Sequence, residues 1–171
     1  TITANFAINT YTLTVNAVNG TVTKSPDQAT YNHGTSVQLT ASSSTGYHFV
    51  DWIGAITGFT NPVTVSVDSN MTITANYAIN TYTITATAGT NGTISPSGTI
   101  NLNYGANQTF LISSSTNYHI DSVIIDGVMY GVSTSYTFSN ITENHTIKVS
   151  FAPDIPVVNI KILLQGAYAN D

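Results

Sequence analysis

Cysteine and arginine are both absent from the 171 residues, and charge rests on three lysines and eight carboxylates. Without thiols there is neither a disulfide nor a thiolate metal site. A cysteine-free chain is compatible with export. Charged residues make up 6% of the chain, where about a quarter is usual. The net charge is −5, so the basic footprint that nucleic acid requires is missing. The basic clusters that hold an anionic membrane surface are missing as well. Long apolar runs are lacking too: the longest candidate, VVNIKILL at 157–164, has strand length and is interrupted by Asn159 and Lys161. A spanning helix needs roughly 18 residues, so no membrane insertion is expected. No stretch reads as a signal peptide, and none carries a capped helical stripe.

What is present is a hydrophobic fraction of 42%, enough for a packed core. It is set in polarity supplied by Thr, Asn and Ser. TITANFAINTYTLTV at 1–15 returns as TITANYAINTYTITA at 72–86. Phe6, Tyr77 and Phe151 correspond, and SSSTGYHF at 42–49 matches SSSTNYHI at 113–120. A fixed long period means tandem structural units. One module is expected over 8–78 and a second over 79–152. Residues 1–7 (Thr1, Ile2, Thr3, Ala4, Asn5, Phe6, Ala7) then spell the last strand of a preceding module. They are a candidate segment for strand addition to a neighbour's sheet. APDIP at 152–156 reads as a short stiff linker. The remainder of 153–171 reads as the first strand of a following domain, the alternative being a strand that docks onto the second module.

Within each module the apolar period is two. Tyr11, Leu13, Val15 and Ala17 alternate with Thr12, Thr14 and Asn16. Segments 71–77, 82–88 and 146–151 alternate in the same way. Successive strand side chains point to opposite faces, so each segment has one buried and one hydroxyl-rich face. Further strands are expected near 36–41, 47–53, 62–68, 107–113, 118–125 and 133–139. Asn19-Gly20 and Asn91-Gly92 read as hairpin turns. The fold class is all-β: two tandem small modules, each β-grasp-like or a small sandwich. A unit of about 70 residues is marginal alone, and neighbours help by packing end to end.

These residues resemble the divergent internalin-type B repeats of bacterial surface proteins. The resemblance rests on YTLTV…NGTV, GYHFVDWIG and NPVTVSVDSNMTITANY in the first copy. In the second it rests on YTITA…NGTISPSG, NYHIDSVIIDG and TENHTIKVSF. It covers roughly 1–152 and implies a compact β module in long secreted or surface-anchored proteins. Such modules serve as stalks, spacers or adhesive repeats. The resemblance brings no catalytic residues. Val123 stands at the position of Trp52, so the module does not require that Trp.

Candidate sites are few. His48 and His119 occupy equivalent positions, each a strand residue facing outward or a ligand. His33 and His145 lack an H-x-x-x-H partner, so zinc is not indicated. Asp51, Asp68, Asp121 and Asp126 form no D-x-D-x-D-G loop for calcium. No carboxylate pair or G-x-S-x-G turn points to hydrolysis. Trp52, Phe59 and Tyr130 are candidate glycan contacts, with loops near 54–61 and 126–133; Trp52 also reads as core. Six N-x-[ST] sequons, at Asn19, Asn70, Asn91, Asn107, Asn140 and Asn144, are candidate glycosylation sites. Lys24, Lys148 and Lys161 are the residues available for isopeptide crosslinks, and Lys148 alternates outward, against that use. The Thr81, Thr83, Thr85, Thr87 row resembles an ice-binding array. Thr is nevertheless an ordinary solvent-face strand residue, and sheet twist spoils a flat lattice. The reading is a non-enzymatic extracellular structural segment without cofactor, whose partners are neighbouring modules or copies of itself. The alternative is a module that binds surface glycans or a host receptor.

Overall fold

The computed structural model describes residues 1–155; the strand expected beyond the linker lies outside them. Among the described residues there are sixteen strands and no helix. Two compact units emerge. The first takes Thr1–Ile84, Asn101–Gln108 and Phe138–Asn144. The second takes Thr85–Ile100, Thr109–Thr137 and the described residues from His145 onward.

In the first repeat, β1 (Thr10–Tyr11) pairs with β4 (Tyr31–Asn32) as a short ribbon. One three-stranded sheet holds β2 (Leu13–Ala17), β8 (Met71–Ile79) and β6 (Tyr47–Gly54), with β8 in the middle. The other holds β3 (Gly20–Ser25), β5 (Thr35–Ser43) and β7 (Val63–Val67), with β5 in the middle. β8 runs antiparallel to β6 and parallel to β2. The core explains the alternation. Leu13, Ile73, Ala75 and Trp52 from one sheet meet Val37, Leu39, Ala41, Val65 and Val67 from the other, with Tyr31 beside them. Both sheets contribute to one cluster, so of the two expected forms the module is the small sandwich.

The second repeat reuses the plan. β9 (Thr81–Ala88), β16 (His145–Pro153) and β13 (Tyr118–Ile125) form a sheet flanked by β11 (Gly98–Asn103) and β14 (Val128–Gly131). β10 (Gly92–Ser95), β12 (Gln108–Ser114) and β15 (Ser135–Phe138) form another. Ile84, Ala86, Ile94, Phe110, Ile112, Ile120, Val123, Ile147 and Val149 are buried.

Two local expectations change. Asn19-Gly20 joins β2 to β3, and Asn91-Gly92 joins β9 to β10, but in both cases the flanking strands lie in different sheets. These are corners between sheets, not hairpins. Asn19 and Asn91 do take positive φ, 66° and 70°. The glycines serve another purpose: a Cβ on Gly20 would collide with the Tyr77 ring, and one on Gly92 with the Phe151 ring. The tight two-residue hairpin of the second repeat is Asp126-Gly127, with φ of 49° and 81°, which turns β13 into β14. Left-handed backbone at both turn residues matches the twist of the paired strands.

Strict alternation through 47–53 would also point Trp52 outward if Tyr47 and Phe49 point inward. Instead the β6–β8 register slips between Phe49 and Asp51. A β-bulge adds one residue to one strand and reverses which face the following side chains occupy. Trp52 thereby reaches the core, 1% exposed. The β13–β16 register slips at the matching place, between Ile120 and Ser122, and brings Val123 inward in turn.

Candidate functional site

Each residue singled out in the sequence has a definite setting. The Trp52 indole Nε1 donates to the Thr60 carbonyl at 2.9 Å. Its backbone exchanges hydrogen bonds with Gly58 at 2.8 and 3.2 Å, and its ring lies 5.1 Å from that of Phe49. It therefore organises the 55–60 loop from beneath and offers no ring face to a sugar, which corrects the glycan-contact expectation for this residue. Phe59, in the same loop, is 79% exposed. Tyr130 is 57% exposed and stands edge-on to Tyr136, centroids 4.9 Å apart. Val128, Met129 and Val132 are exposed beside it in sequence. Two accessible aromatics thus remain of three.

Two of the histidines fasten the ends of the repeats' last strands. His48 Nδ1 lies 2.7 Å from Asn80 Oδ1, and His119 Nδ1 lies 3.1 Å from Asp154 Oδ1. The residue each one holds immediately follows the repeat's last strand. The Asn80 amide donates to the Gly46 carbonyl and the Asp154 amide to the Asn117 carbonyl, both at 2.8 Å. His145 and Asp126 form a further pair, Nδ1 to Oδ2 at 2.8 Å. The other oxygen of Asp126 accepts from the Thr146 amide. Partial burial pushes the Asp126 carboxyl upward, but the Thr146 amide and His145 outweigh it, and its pKa lies below the ordinary 3.8. This cluster fastens the Asp126-Gly127 hairpin to β16, where the sequence pattern indicates only a loop.

Among the described residues, no three His, Asp or Glu side chains gather closely enough to hold a metal ion. Asp51 accepts from the Asn76 side-chain Nδ2 at 2.7 Å and Asp121 from the Ser150 hydroxyl at 2.8 Å, each across a strand pair. Lys24 forms an ion pair with Asp27 at 2.8 Å, and the Asp27 hydrogen bond raises the Lys24 pKa. Lys24 is half-buried but its Asp27 partner is exposed, and Lys148 is exposed. An isopeptide bond needs a Lys and a carboxyl or amide buried together, so neither the Lys24–Asp27 pair nor Lys148 fits.

All six sequon asparagines are exposed, and three of them clamp backbone. Asn70 Oδ1 accepts from the Thr12 amide at 2.9 Å and Asn144 Oδ1 from the Thr83 amide at 2.8 Å. Asn107 Oδ1 accepts from the Asn140 amide at 2.7 Å. Asn19 and Asn91 sit at the sheet corners, where their carbonyls accept from the Ser44 and Ser115 amides at 3.0 and 2.9 Å. A glycan attaches through Nδ2, so the Oδ1 clamps and modification are compatible.

The placement of Asn70 and Asn144 at equivalent points of two copies identifies the chain as a repeat of one design. A family model described as the divergent InlB B-repeat domain matches residues 11–81 and again 82–155. The chain belongs to this family. Neither the comparison with curated proteins nor that with solved structures found a match. The B-repeat boundaries fall three residues later than the 8–78 and 79–152 expected. The first B-repeat therefore opens at Tyr11 in β1, and the second opens at Tyr82 in β9.

Residues 1–7 precede the first B-repeat, are exposed throughout, and belong to no strand. Ile2 and Phe6 are 101% and 95% exposed. Their counterparts in β8, Ile73 and Tyr77, are respectively buried and half-buried.

Proposed function

We propose that this chain is a non-enzymatic structural segment of a bacterial extracellular surface protein, an adhesin, stalk or fibre, in which B-repeats set length. The observation that carries the reading is the presence of two whole B-repeats in tandem, each with its own core and its own closing strand. The exposed faces are hydroxyl-rich and nearly uncharged, which lowers repulsion between neighbouring repeats. With three lysines and no arginine, trypsin-like proteases find few cuts. Labelling intact source cells with an antibody against the chain tests the location. Surface label removable by added protease is expected, and label seen only after lysis overturns the reading.

Residues 1–7 sharpen the proposal. Their text nearly repeats the β8 segment Thr72–Ala78, and Ile2, Ala4 and Phe6 fall where Ile73, Ala75 and Tyr77 are covered. Strand addition to another module buries such a face. A chain lacking residues 1–7 is expected to lose any self-assembly the full chain has. Unchanged assembly removes strand addition and leaves the stalk reading intact.

A second reading, binding of surface glycans or a host receptor, is favoured by the exposure of Phe59 and Tyr130. Glycan-array binding that disappears in Phe59→Ala or Tyr130→Ala, with unfolding midpoints unchanged, supports it; no binding by the parent chain removes it. Glycosylation of the sequons is read from intact mass, and the bare polypeptide mass removes that idea.

A further inference from the structure

We propose that each B-repeat is a mechanical clamp: tension along the chain enters and leaves through adjacent strands that must shear past one another to open. This deepens the stalk reading, on which it rests, by assigning it a mechanical function.

The first repeat supplies the geometry. Tension on the chain reaches the sandwich at β2 and leaves it at β8. These two strands are direct neighbours and run parallel, with Leu13 opposite Met71, Val15 opposite Ile73 and Ala17 opposite Ala75. Pulling β2 from its N-terminal end and β8 from its C-terminal end therefore slides them lengthwise in opposite directions. Every ladder bond between them is loaded together. In an antiparallel hairpin pulled at its open end, by contrast, the bonds break in sequence, each taking the force alone.

Both ends of this ladder are reinforced by side chains. Where force enters, the Asn70 Oδ1 accepts from the Thr12 amide at 2.9 Å and its hydroxyl at 3.2 Å, while the Met71 amide donates to the Thr12 carbonyl at 2.9 Å. Where force leaves, the Tyr77 ring covers Gly20 and its hydroxyl donates to the Thr21 carbonyl at 2.8 Å. That contact ties the end of β8 to the opposite sheet. The second repeat carries the same features. β9 neighbours β16, and the Asn144 Oδ1 accepts from the Thr83 amide at 2.8 Å. The Gly89 amide donates to the Val149 carbonyl at 2.8 Å, and the Phe151 ring covers Gly92.

Asn61 provides a control within the same repeat. Its amide group makes two backbone hydrogen bonds, from the Ala41 amide at 2.9 Å and to the Ala41 carbonyl at 2.8 Å. They fasten β5, which lies outside the loaded pair. Asn61→Ala and Asn70→Ala thus remove comparable bonding, but only one of them lies between sheared strands.

The experiment is single-molecule stretching of the full chain, tethered at its two ends. Two abrupt unfolding steps are expected, each releasing about 250 Å of extended chain for the roughly 70 residues of a repeat. Asn70→Ala is expected to raise the unfolding rate of one step under load by about tenfold, the kinetic equivalent of one lost hydrogen bond of about 1.4 kcal/mol. Asn61→Ala is expected to leave that loaded rate within about twofold of the parent, although its equilibrium stability falls by a similar amount. Gradual extension without steps overturns the clamp, as does equal weakening by both variants. Neither outcome bears on cell-surface location, which the labelling experiment decides separately.

Discussion

The two repeats fill one sandwich plan with different side chains. Where the first places Trp52 opposite Ala75, the second places Val123 opposite Val149. The first also buries Leu39 and Ala41 where the second buries the larger Phe110 and Ile112. A large group in one sheet is exchanged for larger groups elsewhere, which keeps an interior filled at native density. The surface follows from that choice. The first repeat needs a loop bound to the indole through Thr60, and Phe59 is left on its outside. The second, freed of the indole, turns the chain through Asp126-Gly127 into the additional strand β14. What the two share is therefore the frame: the bulge, the sheet corners, and the clamp between first and last strands.

Substitutions can break this comparison in order of size. Trp52→Ala should cost the first repeat about 4 kcal/mol in denaturant unfolding, and Val123→Ala should cost the second about 2 kcal/mol, since truncation scales with the cavity left. Equal losses would mean that the two positions do not fill equivalent cores. Gly20→Ala and Gly92→Ala should each cost about 2 kcal/mol, because the Tyr77 or Phe151 ring must move. Similar losses in both repeats are expected, and a silent change in either would show that the ring does not lie on its glycine. Asn70→Ala and Asn144→Ala should each cost about 1.4 kcal/mol at equilibrium by removing a backbone clamp.

The smallest effect separates the repeats by pH. Asp126 titrates lower in the folded chain than its ordinary 3.8. Its contribution is thus fully present above that value and is lost as pH falls through the folded pKa. Its side chain is 43% exposed, so screening holds the contribution to about 1 kcal/mol or less. Ala55 occupies this position in the first repeat. Acidification below about pH 4 should therefore loosen the Asp126-Gly127 hairpin in amide exchange, and Asp126→Asn should abolish that dependence. A hairpin whose exchange responds to acid equally in parent and variant would remove Asp126 from the account.

Period-two alternation makes most strands legible because burial on one face is a local pattern. Asn19-Gly20 misleads for a physical reason. The pair reports a preference for positive φ, which a hairpin and a corner between sheets both satisfy; only the Tyr77 ring, 57 residues further on, distinguishes them. Asp126-Gly127 carries a true hairpin signal within a stretch that otherwise reads as a loop. The bulge after Phe49 has no residue signature in FVDWIG, so the inward turn of Trp52 depends on the ladder with β8. Of the candidate contacts, Phe59 and Tyr130 are exposed as a binding surface requires, and Trp52 belongs to the core.

Each B-repeat is closed by its own last strand, while residues 1–7, almost the same text, belong to no strand. Residue-resolved amide hydrogen exchange on the full chain reads both segments in one experiment. At a dilution where the chain is monomeric and strand addition between chains is absent, slow exchange is predicted for the amides of 72–77 and 146–151, and fast exchange for those of 2–7. Protection of 2–7 at the expense of 72–77 would contradict the account, because the first strand would then have taken the place of the repeat's own.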